Sequence, residues 1–287
     1  MGANVSVDEL FGYKVIAFLG QGARSRLYAV KDRVSGDTYA LKHVVYDERM
    51  GDKDDRFLKQ VVNEYTTLRE IEHPSLRRVI ALKRLTPLFQ VTEVALVLEL
   101  IDSATIEEEP PKSLKEYLRV FTEVADGLAH LHGKGFVHAD MKLGNIMLPT
   151  PEPSSHCSKI IDLGQSCKIG TVKERTQGSP GYMAPEQAAK DPVTEQTDLY
   201  NFGASMYRAL VRDYAETVLV PGEKRPRRPE QVPATMPPAD RVAGLDGDLS
   251  DLVMECLHLQ QHRRPKSMIV VADELRRLEG SARDMAV

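Results

Sequence analysis

The chain has 287 residues, of which 42% are hydrophobic and 28% charged, with a net charge of -4. That length can bury a sizeable core as one domain or two lobes, and the balance is that of a soluble globular protein. No apolar run approaches the ~20 residues of a membrane span, and the acidic total leaves no basic footprint for nucleic acid. The cysteines Cys157, Cys167 and Cys256 fit no metal-ligand spacing and are odd in number. This points to a reduced, cytoplasmic setting.

Gly2 and Ser6 fit the short myristoylation pattern. No polybasic patch or neighbouring cysteine supplies the second signal that stable anchoring needs. Residues 13–17 read as a strand, Gly20, Gly22 and Ser25 as a turn, and Leu27, Tyr28, Ala29 and Val30 as the next strand. Glycines between two strands let backbone N–H groups approach phosphate oxygens. The dinucleotide-binding fingerprint is excluded, because it needs a helix after the glycines.

Residues 38–44 alternate as a strand with Lys42 between apolar neighbours. A helix is expected over 54–72, where Phe57, Val61, Leu68 and Ile71 recur at helical spacing and Glu64 falls within their stripe. A carboxylate on a core face needs a partner, since burying it unpaired costs several kcal/mol, and Lys42 is the candidate. Strands follow over 78–85 and 94–100. The second is almost continuously apolar and therefore central in its sheet.

The acidic run 107–109 and Pro110-Pro111 read as a solvated connector, with composition shifting from strand to helix. The domain boundary is placed near Asp102, giving a first domain over 1–102, a second over 103–280 and a tail over 281–287. An amphipathic helix is expected from Ser113 to Gly133, with Leu114, Leu118, Phe121, Val124, Ala125, Leu128 and Leu131 on one face. Ser113 and Glu116 form a capping box, and Gly133 and Gly135 end the helix.

Residues 136–148 then place His138, Asp140, Lys142 and Asn145 between apolar flanks. An acid two residues before a lysine and five before an asparagine suits phosphoryl transfer to a hydroxyl. The carboxylate accepts the hydroxyl proton, the ammonium neutralises phosphate charge and the amide oxygen ligates a metal. A polar turn between two strands would carry similar residues, so the loop decides nothing alone. After a turn-rich connector over 149–155, Asp162 follows an apolar strand and precedes Gly164, a suitable place for a metal-binding carboxylate. A polar segment with Ser166, Thr171, Thr176 and Ser179 closes on GSPGYMAPE, and Asp198 opens a strongly apolar helix. Residues 221–238, carrying Lys224, Arg225, Arg227 and Arg228 among prolines, read as an exposed loop or, alternatively, as a docking site for an acidic partner.

In this order, residues 11–278 resemble a protein kinase domain, and the chain is similar to the eukaryotic-like serine/threonine kinases found in bacteria. The resemblance implies an α+β, bilobal fold, with a small β-rich lobe, a larger helical lobe and an ATP cleft between them. Residues 136–148 resemble the catalytic loop, His-Arg-Asp-x-Lys-x-x-x-x-Asn, with Ala139 where arginine is usual. Gly20 and Gly22 resemble the glycine-rich loop, with Ser25 at its third glycine. On this resemblance Asp140 is the catalytic base. Lys142 and Lys42 steady phosphates, and Glu64 pairs with Lys42 on a switch helix. Leu27, Ala40, Leu98, Glu99, Ile101 and Met147 receive the nucleotide, with Leu98 as gatekeeper and Glu99 and Ile101 offering backbone groups to adenine. Asn145 and Asp162 hold Mg²⁺, Glu186 pairs with Arg264, and Asp198 holds the backbone of the catalytic loop. The connector after Asp102 is too short for the family's usual extra helix.

The implied activity is transfer of the γ-phosphoryl group of ATP to protein serine or threonine hydroxyls, the residue class resting on Lys142. A pseudokinase that binds nucleotide or partners without transfer is the alternative, on Ala139 and Ser25. A small-molecule kinase is disfavoured by GSPGYMAPE, a protein-substrate feature. Ala139 carries no charge for an activation-loop phosphate to neutralise, so activity is expected without that phosphate.

Overall fold

The computed structural model describes residues 8–22, 24–46, 52–86, 92–148 and 157–282. Gly2, Ser6 and the connector over 149–155 lie outside the described residues. Two compact units emerge, Met1–Glu72 with Arg77–Asp102, and His73–Leu76 with Ser103–Val287. The class is α+β, with one small β-rich unit and one larger helical unit.

Among the described residues, the first unit is a six-stranded antiparallel sheet with one helix. Its strands are β1 (Glu9–Leu10), β2 (Tyr13–Gln21), β3 (Ser25–Asp32), β4 (Thr38–Val45), β5 (Val79–Leu85) and β6 (Glu93–Glu99), in the order β1-β2-β3-β4-β6-β5. The apolar β6 is internal, as its composition demands. Strand alternation divides its side chains between two cores. Val94, Leu96 and Leu98 join Ala40, Val44, Leu58 and Val61, while Ala95 and Val97 join Tyr13, Tyr28, Val30 and Leu41. Both faces of the strand are therefore dry.

Helix α1 (Asp52–Leu68) lays Leu58 and Val61 on the first of these cores, and Leu68 is buried at its end. It ends earlier than the spacing predicts. Pro74 disfavours α-geometry at His73, and Ile71 turns inward with its N–H on the Leu68 carbonyl at 3.0 Å. Ile71 is thus buried beside the helix, and Glu70 stands in the turn beyond it.

The second unit is organised on α2 (Leu114–Gly133) and α4 (Glu195–Val211), with α3 (Pro185–Ala189), α5 (Pro238–Arg241), α6 (Gly247–Cys256) and α7 (Met268–Ser281) around them. Leu114, Leu118, Phe121, Val124, Ala125, Leu128 and Leu131 are all buried along α2. Each such side chain contributes ~1.5–3 kcal/mol over exposure, so packing rather than propensity fixes the helix. Ser113 accepts from the Glu116 N–H at 3.2 Å. The reciprocal half of the capping box is displaced, since Glu116 Oε2 accepts from Lys112 N instead. Gly135, at φ 82°, takes the left-handed turn after the helix, whereas Gly133 remains helical. Residues 103–112 form turns, with Ile106 fully buried.

Two short antiparallel pairs complete this unit: β7 (Phe136–Val137) with β10 (Cys167–Lys168), and β8 (Ile146–Met147) with β9 (Lys159–Ile160). Residues 138–145 are held between β7 and β8. Among the described residues, no helix is long and apolar enough to cross a membrane.

Candidate active site

In the first unit, period-2 alternation puts Lys42 on the face of β4 that carries Ala40 and Val44, toward α1. Helical periodicity puts Glu64 in line with Val61 and Leu68. The two meet, with Lys42 Nζ 2.8 Å from Glu64 Oε2 and Glu64 only 1% exposed. Leu27, Ala40 and Leu98 pack in the same cluster. The Glu99 carbonyl accepts from Arg77 Nε at 3.0 Å. Ile101 is buried just beyond β6.

The hairpin between β2 and β3 pairs Gly20 with Leu27, and the Gly22 N–H donates to the Ser25 carbonyl at 2.8 Å. Among the described residues, a Cβ on Gly20 would meet no atom within 4 Å, whereas one on Gly22 would come within 2.9 Å of Ser25 Oγ. The Gly22–Ser25 bond thus closes the turn, and a side chain at 22 would require the Ser25 hydroxyl to move.

In the second unit the loop between β7 and β8 is fixed by buried carboxylate and imidazole groups. Asp198, fully buried in α4, accepts from His138 N at 2.8 Å and Ala139 N at 2.7 Å. His132 Nε2 lies 2.8 Å from the same carboxylate. Burial alone would raise the Asp198 pKa. The hydrogen bond and charge of His132, with the other donors, overbalance this and hold it below the ordinary value.

His138 Nδ1 accepts from Asp140 N at 3.2 Å, so its ring proton sits on Nε2, which faces the Ile161 carbonyl at 3.2 Å. Ala139 stands at φ 62°, a left-handed conformation that a non-glycine residue adopts only when its surroundings impose it. Its side chain packs with Val137 and Val193, bordered by Cys167 and Ile169.

Asp140 is 8% exposed. Its pKa is raised by burial, with the Asp162 charge adding to the rise. Lys142, His138 and a hydrogen bond from Ser179 Oγ to Oδ1 at 2.9 Å oppose it. Asn145 donates from Nδ2 to the Asp140 carbonyl at 2.8 Å, which fixes the amide so that Oδ1 is the atom left for a ligand. Asp162 is exposed and left-handed at φ 60°. Asn145 and Asp162 thus offer hard oxygen donors, the kind that a divalent cation such as Mg²⁺ prefers. Lys142 and Met147 are half-buried on either side of Asn145.

Behind this loop Glu186 accepts from Arg264 NH1 at 2.7 Å and NH2 at 3.0 Å, with both side chains at most 2% exposed. The Gln196, His258 and Leu259 carbonyls take the other guanidinium hydrogens. Lys224, Arg225 and Arg228 are exposed, but Arg227 is engaged by Glu223 at 2.5 Å and Glu216 at 3.1 Å. That engagement leaves the basic cluster weaker than its sequence suggests. Ser179 lies in GSPGYMAPE, which marks its place but not its partner Asp140, and His132, Gln187 and Asn201 enter the site without a motif to announce them. For His132 the available signal is a polar residue inside the apolar helical run of α2, which needs a buried partner.

A family model described as protein kinase domain matches residues 13–275. The DNA damage-responsive serine/threonine-protein kinase RqkA of Deinococcus radiodurans is 31% identical over 202 residues, 68% of this chain and 29% of that protein. The serine/threonine-protein kinase pkn2 of Myxococcus xanthus is 24% identical over 278 residues, 92% of this chain and 32% of that protein. The CBL-interacting serine/threonine-protein kinase 1 of Arabidopsis thaliana is 28% identical over 208 residues, 69% of this chain and 44% of that protein. The chain spans less than half the length of each of these relatives.

Proposed function

Because the chain belongs to the protein kinase family, within its serine/threonine branch, we propose that it transfers the γ-phosphoryl group of ATP to serine or threonine hydroxyls of protein substrates. The observation that carries the proposal is the fixing of Asp140, through its backbone by His138 and Asn145 and through its carboxylate by Ser179.

Asp140 accepts the proton of the acceptor hydroxyl. Ser179 occupies Oδ1, which leaves Oδ2 to meet that hydroxyl and orient its oxygen. Lys142 places positive charge beside the base, favours its ionised form and steadies the moving phosphate. Lys42, aimed by Glu64, neutralises the non-transferred phosphates. Leu27, Ala40, Leu98 and Met147 offer apolar surface to adenine, and the Glu99 carbonyl and Ile101 amide its edge. Gly20, Gly22 and Ser25 cover the phosphates with backbone N–H groups. Asn145 Oδ1 and the Asp162 carboxylate would hold Mg²⁺, which would supply positive charge to offset that of the phosphoryl oxygens.

The free thiols Cys157, Cys167 and Cys256 suit a reducing cytoplasm. Lys224, Arg225 and Arg228 remain the surface for an acidic partner, with Arg227 withdrawn into its own ion pairs. Incubation with labelled ATP, magnesium and a generic basic protein should give transfer to the substrate. Asp162→Asn should abolish it, because an amide lacks the anionic oxygen that a hard cation prefers. Wild-type turnover by Asp162→Asn would refute the metal assignment. Nucleotide binding without any transfer by the parent would favour the pseudokinase reading.

A further inference from the structure

Asp140 can act only if the peptide plane ahead of it is held, and two side chains hold it from opposite sides. Its N–H donates to His138 Nδ1, and the Ala139 carbonyl of the same plane accepts from Gln187 Nε2 at 2.8 Å. The other Gln187 Nε2 hydrogen goes to the Gln177 carbonyl at 3.1 Å. Two residues further on, Ser179 donates to Asp140 itself. One amide therefore ties the base-bearing loop to the segment whose hydroxyl orients the base.

The orientation of that amide is over-determined. Gln187 Oε1 accepts from Ala184 N and from Asn201 Nδ2, each at 3.0 Å. Asn201 also donates to the Tyr182 carbonyl at 2.6 Å. Two donors and two acceptor lone pairs are the whole capacity of a glutamine side chain, and all four are used. Gln187 is 5% and Asn201 1% exposed, so a lost bond would leave a buried carbonyl unsatisfied. Gly178 makes room, since a Cβ there would come within 3.2 Å of Gln187 Nε2, and its φ of 139° suits only glycine.

We propose that Gln187, braced by Asn201, is a positioning residue for phosphoryl transfer, an uncharged tether that holds the activation segment on the catalytic loop without a phosphate. The proposal rests on the assignment of Asp140 as the base. It gives the loop a fixed geometry where Ala139 offers only a methyl in an apolar pocket. Gln187 touches no reacting atom. Its effect is on where Asp140 and Ser179 point.

The test compares Gln187→Leu and Gln187→Glu with the parent in initial-rate assays across pH, with thermal melts on each. Loss of the tether should lower kcat by roughly tenfold to a hundredfold, as expected for a misplacement of about 1 Å, while the KM for ATP changes less than about twofold. Gln187→Glu supplies a readout that a purely structural role would not move. Below neutral pH its carboxyl takes a proton and regains one donor, so its rate relative to the parent should climb on acidification, while the Leu variant shows no such climb.

Parental kcat in folded Gln187→Leu, or a flat Glu-to-parent ratio across pH, would overturn the tether. Should the parent transfer nothing, the assignment of the base fails separately, and amide hydrogen exchange then decides the tether. Faster exchange over 138–140 and 177–183 in the variants supports it, and unchanged exchange rejects it.

Discussion

Two buried ion pairs, one in each unit, are built differently. Glu186 and Arg264 meet through two parallel contacts, both side chains are at most 2% exposed, and carbonyls take the remaining guanidinium hydrogens. Lys42 meets Glu64 as an ammonium at one carboxylate oxygen, with the lysine side chain 19% exposed. A bidentate guanidinium has one geometry, whereas a flexible ammonium can leave one anion for another. The first pair suits permanence. The second suits a site where a charge must be shared with a ligand.

The comparison is sharpest where the pairs are broken. Glu186→Ala or Arg264→Ala leaves an uncompensated buried charge and should cost about 3–5 kcal/mol, read by urea unfolding. Activity should fall only because folded protein is lost. A cost under about 1 kcal/mol would mean that the pair is not structural.

Glu64→Ala should behave in the reverse way. Lys42 is partly open to solvent, so stability should change by less than in the Arg264 variant, while kcat/KM should fall on the order of a hundredfold because Lys42 loses the carboxylate that aims it. Glu70→Ala is the control. Glu70 stands in the turn after α1, 76% exposed beside Arg69, and its loss should leave stability within about 0.5 kcal/mol and the rate unchanged. Equal activity losses from the two would mean that Glu64 acts only through the helix.

A finer contrast lies within the catalytic loop, where two carboxylates are pushed in opposite directions. Asp198 is held below its ordinary value of 3.8, so its stabilising contribution is complete above that pH and drains away as pH falls below it. Asp140 is raised above 3.8, so its ionised form opposes folding and this penalty is relieved on acidification. Asp140→Asn should therefore be at least as stable as the parent at neutral pH, though inactive. The acid limb of parental kcat/KM should lie above 3.8. An acid limb below that value would remove Asp140 as the base.

What could be read beforehand follows from the range of the interactions. Lys42 and Glu64 are visible because strand and helix periods put each on a known face, and Asp140, Lys142 and Asn145 because they lie within six residues of one another. The end of α1 was misplaced because Ile71 continues the apolar spacing after the backbone has turned. The half-formed capping box shows the same limit, since Glu116 had two backbone N–H groups within reach. Gln187 and Asn201 were invisible for another reason. Apart from the bond between the two, their partners are backbone carbonyls and amides, which every residue possesses, so no spacing encodes them.

The smallest expected effect is that of activation-segment phosphorylation, and it follows from how that segment is already held. Thr171 is half-buried, its hydroxyl donates to the Lys168 carbonyl at 2.6 Å, and its backbone bridges Val193. Thr176 is likewise half-buried rather than fully open. A phosphate on either would meet no charge at Ala139, which sits in an apolar pocket, while the neutral bonds of Gln187 already fix the segment. The Thr171→Ala, Thr176→Ala double variant and phosphatase-treated parent should therefore keep initial rates on an exogenous substrate within about threefold of untreated enzyme, a change in barrier of under ~1 kcal/mol. A hundredfold drop, equivalent to ~2.7 kcal/mol, would mean that a cation elsewhere in the segment reads the phosphate in place of the missing arginine. Lys173, whose Nζ now donates to the Gln165 carbonyl at 2.7 Å, would be the first to substitute.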